Sequence, residues 1–535
     1  MKKNIFLLLL SALLLIPSAG QAQKKVKPVK TQRETAISKD SLAAVTKRAE
    51  AGSVEDMMLL AGWYDKGKQV KQDYKLAFHW YAKAAEQNNG QAVANLARYY
   101  QFGYNVKADS AKAAGLYKKS LEFKYSDVLK YLEAQTKVDS LSVFSGLLLY
   151  DIYNKGVGEV KRDEEKARSY QEFAANGGHV ESQYDLARYY LQKNKADKSA
   201  ELFRKASEAG VVGATYFYGY QLFKGQGVAQ DKKAGIEWMQ KAADQHFTAA
   251  NGQLGRIYYE GDGVEVDSAK AVANLKIAAG SRVNNSVRNE AQWWLAHCYM
   301  RGLGVERDYG LAMQWFAEVA TKTSYKDKFK ELITNSGADA VPDNNIFSAY
   351  LYGMKALLVD ENIDEANKRF KVVEKAKNNE GTAMIAFCTA SDKGKKPNVK
   401  KAIKSWTSIA DNCAIASFYL GLSYAEGKGV DKDTKKALEN MQAASDKDFS
   451  FASLFVADAY MTGTGVSKDE SKAAELYIEV ERQHQLTPEA AKNLIKCYEL
   501  KLAVLPDVAN STERIAELSK VKENENVVAL LKTLP

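Results

Sequence analysis

Proline is scarce, at 7 of 535 residues, where an average chain would carry roughly 5%. That scarcity excludes a Pro-rich tail or collagen-like rod and favours long uninterrupted helices. Cysteine is scarce too: Cys298, Cys388, Cys413 and Cys497 lie far apart, with no C-x-x-C pair. They make neither a disulfide framework nor a zinc site, and read as structural core residues. The five histidines, His79, His179, His246, His297 and His484, include no H-E-x-x-H spacing, and no G-x-S-x-G elbow is present. Gly62 to Gln69 approaches a phosphate-binding loop but puts Gln69 where Mg²⁺ needs Ser or Thr, and it follows a helical pattern where a strand is required. These absences point away from an enzyme and from any metal or cofactor.

Charge of one sign is also missing from most of the chain. The net charge is +10. Lys2, Lys3, Lys24, Lys25, Lys27, Lys30 and Arg33, offset by Glu34, place most of it in the first 34 residues. The remainder is near balance and offers no nucleic-acid footprint. At 46% apolar and 10% aromatic residues, wholesale disorder is excluded.

The one long hydrophobic run is Ile5 to Ile16, preceded by Lys2 and Lys3 and followed by Pro17-Ser18-Ala19-Gly20-Gln21-Ala22. This is the layout of a secretory signal over residues 1–22, too short for a comfortable membrane span, and no later stretch is apolar enough to cross a bilayer. The expectation is an exported protein, bacterial and periplasmic or secreted. Residues 23–50 read as a basic tail and a partial first helix.

What the chain has in abundance is self-similarity. Leu254 to Val264, Leu295 to Val305 and Leu420 to Val430 are one sentence rewritten. Eight copies align on a turn glycine: Gly67, Gly103, Gly156, Gly225, Gly261, Gly302, Gly427 and Gly463. Three residues before it stands Tyr in all but one copy (Leu222); six before it stands Ala or Gly, except at Tyr150; eleven before it stands Ala in six copies. These offsets share one side of a helix, where small residues admit a neighbouring helix and the Tyr fills the gap. Gly-x-Gly-Val then supplies a positive-φ turn, and three residues after the Val column an Asp is placed to cap a second helix. Four residues beyond the Asp stands Ala, with Gly235 the exception.

Helix, glycine turn, second helix and return loop at about 36 residues make an all-α fold, a solenoid of helical hairpins. The pattern Ala…Leu-Gly…Tyr…Gly-x-Gly-Val…Asp…Ala resembles the Sel-one-like repeat family, relatives of tetratricopeptide repeats. The resemblance implies a right-handed α-solenoid of antiparallel helix pairs that serves as an adaptor for other proteins, in bacteria often exported to the cell envelope. Three segments depart from it. Ser182 to Gly210 and Ser348 to Glu380 lack the Gly-x-Gly turn, and Ala383 to Asn412 keeps Gly394, Ala402, Trp406 and Ala410 but substitutes Lys-Lys-Pro. Boundaries follow as a repeat array over 51–322, an interruption over 323–345 that reads as a joint or a long surface loop, a second array over 346–486 and a helical cap over 487–535.

The variable columns of the first helix lie eight and five residues before the turn glycine, three apart and so on one face. They read Asn95 with Arg98, Asp185 with Arg188, Phe217 with Tyr220, Gln253 with Arg256, Trp294 with His297, and Phe455 with Asp458. If that face is concave, Arg98, Arg188 and Arg256 make an intermittent basic ladder beside aromatic anchors for a protein or peptide partner in the envelope. Alternatively the apolar members pack between repeats and the arginines are solvated. A glycan-binding or envelope-remodelling factor, with its site in the groove or at the joint, is the rival function, and self-association through terminal repeats a third.

Overall fold

The computed structural model describes residues 42–138, 142–283, 286–320, 323–334, 342–392, 396–502, 504–505 and 511–534. The signal sequence and the basic tail expected over residues 1–33 lie outside them, as do 335–341 of the interruption and Gly394. The described residues form 28 α-helices and one short 3-10 turn, with no strand beyond an isolated bridge between Val157 and Val160. None of these helices is long and apolar enough to cross a membrane. Consecutive helices pair as hairpins, which makes the chain an all-α solenoid.

Each hairpin is built as its sequence dictates. The eight turn glycines have φ between +66° and +78°, the left-handed region that ends a helix and that side chains resist. Two residues on, the second glycine serves a different need. At Gly304 a Cβ would lie 2.1 Å from the Ser268 carbonyl oxygen, and at Gly227 2.2 Å from that of Ala196. Both carbonyls belong to the start of the preceding hairpin's second helix, so the second glycine lets successive hairpins touch. Asp73, Asp109, Asp163, Asp231, Asp267, Asp433 and Asp469 each accept from a backbone N–H in the first turn of the second helix, and Asp308 accepts from Leu311 N at 2.7 Å. The capping expectation holds in every copy. Where Gly-x-Gly is missing, Asn194 takes the positive φ, at +56°.

Small residues sit where two helices of a hairpin cross. Ala61, Ala97, Ala296 and Ala457 are fully buried, as are Ala77, Ala113, Ala312 and Ala473 on the second helices; Gly219 and Gly235 face each other so closely that a Cβ on Gly235 would lie 2.7 Å from the Gly219 carbonyl oxygen. In the tyrosine column Tyr153 and Tyr299 are buried, while the other five differ from the expectation that the column fills this gap. Tyr64, Tyr100, Tyr258, Tyr424 and Tyr460 are half-buried. In five copies the ring lies beneath the lysine three residues after the capping Asp, from Lys112 at 4.0 Å from the Tyr100 centroid to Lys270 at 5.3 Å from Tyr258. Each of these tyrosines also accepts the N–H of its capping Asp on its main-chain carbonyl, as Tyr299 does from Asp308 at 3.0 Å.

The described chain divides into two compact units, residues up to 214 with 226–228, and 215–225 with 229–534. In the second, the stretch read as an interruption contains a helix, Thr323–Thr334, and Pro342–Leu358 opens the next hairpin. The final residues form Pro488–Glu499, Ser511–Leu518 and Asn526–Lys532. All four cysteines are free and buried, with burial pushing the Cys298 thiol up to about 12 and those of Cys388 and Cys497 up to about 11; such thiols are inert packing residues.

Candidate functional site

In the first unit the variable columns hold Asn95, Arg98, Asp185 and Arg188. Arg98 does not face solvent as a free cation. Its Nη2 donates to the Asp65 carboxylate, one repeat earlier, and Tyr99 OH donates to the same group at 2.8 Å. Only 17% of the Arg98 side chain and 5% of Asp65 is exposed. Asn95 is turned onto its own helix, donating to Gln91 O at 3.1 Å. Asp185 and Arg188 are exposed, the Arg188 guanidinium lying 5.8 Å from the Tyr184 ring centroid.

In the second unit Arg256 is likewise engaged, by Glu260 at 3.2 Å and by Glu290 of the next hairpin at 3.0 Å. Tyr220 joins a half-buried aromatic cluster in which Tyr216 meets Phe217 at 5.1 Å and Phe247 at 5.3 Å. Trp294 rests on Tyr259 at 4.9 Å. His297 is only 8% exposed, packed between Trp293 and Phe316; burial, with Arg301 nearby, lowers its pKa to about 4, so it is a neutral core imidazole. Asp458 accepts from Tyr477 OH and, at 3.1 Å, from Asn493 of the following hairpin. Gln253 is half-buried. The basic ladder is thus largely compensated: Arg98 and Arg256 clamp adjacent repeats, and Arg188 alone of the three has no carboxylate ion pair among the described residues.

The carboxylate of the clamp stands in a column other than the two variable ones. Asp65 and Gln101 lie two residues before their turn glycines, where later copies carry Phe223, Tyr259 and Met300. Gln101, outside the clamp, donates to Gln135 Oε1 at 3.1 Å and accepts from Tyr117 OH at 2.7 Å. A polar residue in a column that is apolar in five of eight copies, with Asn154 the third polar member, is the signal that marks Asp65 and Gln101.

A second feature had no signal in the repeat pattern. Within the second unit, four loops enclose a cleft of about 610 Å³ bordered by Tyr299, Arg301, Asp308, Glu380, Cys413 and Asp448. Glu380 accepts from Tyr309 N at 2.5 Å and Gly310 N at 3.0 Å, closing the N-terminus of the Tyr309–Ala320 helix beside the Asp308 cap. Burial raises the Asp308 carboxyl to about 6, and burial together with the Asp308 charge pushes Glu380 well above the carboxylate range. Both acids therefore have a backbone partner and a depressed tendency to ionise. No group of residues with metal-ligand geometry occurs among the described residues.

Comparison with known proteins follows the same repeats. The Sel1 repeat model matches residues 54–89, 90–122, 146–179, 180–211, 212–247, 248–280, 289–322, 414–449 and 450–479, more than half of the chain. A chitin synthase regulator of Saccharomyces cerevisiae is 23% identical over 294 residues, 52% of this chain and 39% of the yeast protein. A sel1-like repeat-containing protein of Acanthamoeba polyphaga mimivirus is 29% identical over 148 residues, 26% of this chain and 27% of its own. The chain thus spans well under half of the length of either relative. Among solved structures, a protective antigen of uropathogenic Escherichia coli displaying an SLR fold is 22% identical, covering 93% of this chain and 98% of that one, at a TM-score of 0.33.

Proposed function

The chain belongs to the Sel1 repeat family, and from that premise we propose that it is an exported, non-enzymatic scaffold binding protein or peptide segments in the cell envelope. One observation carries the reading. The glycines, aspartates and small residues that recur across the copies serve the hairpin as turn, cap and helix crossing, while the columns eight and five before the turn glycine vary, and there Asp185 and Arg188 stand exposed. A surface that varies on a fixed frame is how solenoids distinguish partners. The yeast relative is by name a regulator of another protein, which accords with action through binding. Export rests on the layout of residues 1–22.

The test is a pull-down from detergent-solubilised envelope with the full chain as bait, beside Arg188→Glu. Arg188 is exposed and carries no clamp, so its reversal leaves the fold intact, whereas reversing Arg98 would bury two like charges. A partner held by the parent and released by the variant supports the scaffold and places Arg188 in its surface. Failure to retain any protein overturns it. Residence of the chain in the cytoplasmic fraction overturns export.

A second reading, a glycan-binding factor, is favoured by the cleft alone, where two carboxyls of raised pKa stand beside amide and cationic side chains. Retention on an immobilised glycan array, lost in Asp448→Ala, would favour it.

A further inference from the structure

The Tyr309–Ala320 helix is buried on nearly every side: ten of its twelve residues, Trp315, Phe316 and Val319 among them, are inaccessible. An ordinary second helix needs only one apolar face; Thr434–Ser445, in the same place in its own hairpin, buries Ala437, Met441 and Ala444. Part of the extra apolar face is covered by the Thr323–Thr334 helix, with Phe329 on Phe316 at 5.3 Å, and part by the chain's own residues 524–534. Their helix, Asn526–Lys532, packs on Tyr309–Ala320 and on Pro342–Leu358, and Leu530, Leu531 and Leu534 join the core there at 1%, 0% and 4% exposure.

The polar end of this contact is equally particular. Glu318 is 8% exposed, and its hydrogen-bond donors among the described residues are Asn524 Nδ2 at 2.8 Å and Asn526 Nδ2 at 3.0 Å. Asn524 Oδ1 accepts from Asn526 N at 2.9 Å, opening the helix. A seven-residue helix has no stability of its own, so this segment acquires its shape by docking. A built-in carboxylate acceptor, an apolar trough and a short helix ordered by both are the features of a helix-in-groove site.

We propose that the face between the Tyr309–Ala320 and Pro342–Leu358 helices is a docking groove for a short amphipathic helix of a partner protein, opened by asparagine and anchored by paired leucines, which residues 524–534 occupy in cis. This rests on the scaffold reading and names the chemistry of the partner. A tethered segment acts at an effective concentration of roughly millimolar, so a partner must outcompete it or meet it already displaced.

The test uses the full chain with Leu530→Asp and Leu531→Asp, which expels the cis segment and leaves the groove unaltered. A fluorescein-labelled peptide with the sequence of Lys522 to Pro535 is titrated against it by anisotropy. The expected result is binding at least about tenfold tighter than to the parent chain, lost when both asparagines of the peptide are alanine and lost again when Glu318→Ala is added to the protein. Equal binding to parent and released chain, or none to the released chain, overturns the proposal. If the double aspartate variant loses its helical circular dichroism, Asn524→Ala with Asn526→Ala takes its place under the same criteria. Peptide-driven or variant-driven dimers in light scattering would assign the groove to a second copy and overturn the external partner. Loss of peptide binding with envelope capture retained removes this groove and leaves the scaffold; loss of capture with peptide binding retained does the reverse.

Discussion

Lys276 Nζ lies 2.7 Å from Asp448 Oδ2, although the two residues are 172 apart in sequence. The same carboxylate oxygen accepts from Tyr299 OH at 2.9 Å. Within the second unit the later hairpins therefore fold back onto the earlier ones, and His484 Nε2 against Ala279 O at 3.0 Å continues the seam.

Removing the shared acceptor should cost more than removing one donor. Asp448→Ala strands the hydroxyl of Tyr299, which is 3% exposed, and should lower stability by about 1–3 kcal/mol. Tyr299→Phe leaves Lys276 on the carboxylate and should cost less. Denaturant midpoints of the two variants rank them, and the reverse order would refute the seam.

Arg98→Ala leaves the Asp65 carboxylate buried and short of its counter-charge, an expected loss of about 3–5 kcal/mol. Joint replacement by Arg98→Met and Asp65→Leu should recover only part of that, because it strands the buried Tyr99 hydroxyl that donates to Asp65. A double-mutant cycle in urea measures the coupling.

The two turn glycines should respond differently. Gly302→Ala meets Arg307 Cβ at 3.3 Å and its backbone N at 3.5 Å, tight but without overlap, and should cost about 1 kcal/mol for its positive φ. Gly304→Ala adds a clash with the Ser268 carbonyl at 2.1 Å and should cost at least about 2 kcal/mol. Thermal unfolding of the pair decides whether inter-hairpin contact is the second glycine's duty.

Stability should carry opposing pH dependences. Asp308 is raised in the folded state from 3.8 to about 6, so its contribution is complete below about pH 4 and is lost as pH rises through 6. That loss is up to about 3 kcal/mol, since one pKa unit is about 1.4 kcal/mol. Glu380, also raised by burial, has the same sign. His297, lowered from 6.5 to about 4, has the opposite sign: its contribution is complete above 6.5 and is lost as pH falls through 4. Asp308→Asn, which still caps the helix, should flatten the alkaline-going loss, and His297→Phe the acid-going one. Unfolding midpoints from pH 4 to 8 test both, and a profile unchanged by Asp308→Asn would exclude the buried acid as its source.

The hairpin was legible in the sequence because its causes are local. A glycine at positive φ, an aspartate three residues past the turn valine and an alanine where helices cross act within a few residues of themselves, so Gly302, Asp308 and Ala312 could be placed by spacing alone. The face carrying Arg98, Arg188 and Arg256 was legible for the same reason of helical period. Its chemistry was not, because a guanidinium's role depends on the carboxylate opposite it: Asp65 and Glu290 lie one repeat away, and only the stacking of hairpins brings them to Arg98 and Arg256. The meeting of Lys276, Tyr299 and Asp448, the pairing of Asp308 with Glu380, and the seat of Leu530 and Leu531 on Trp315's helix were decided by tertiary structure alone. Spacing repeats every turn of helix, but the curvature that returns one stretch of chain to another is the sum of many small inter-hairpin rotations, and no single residue encodes it.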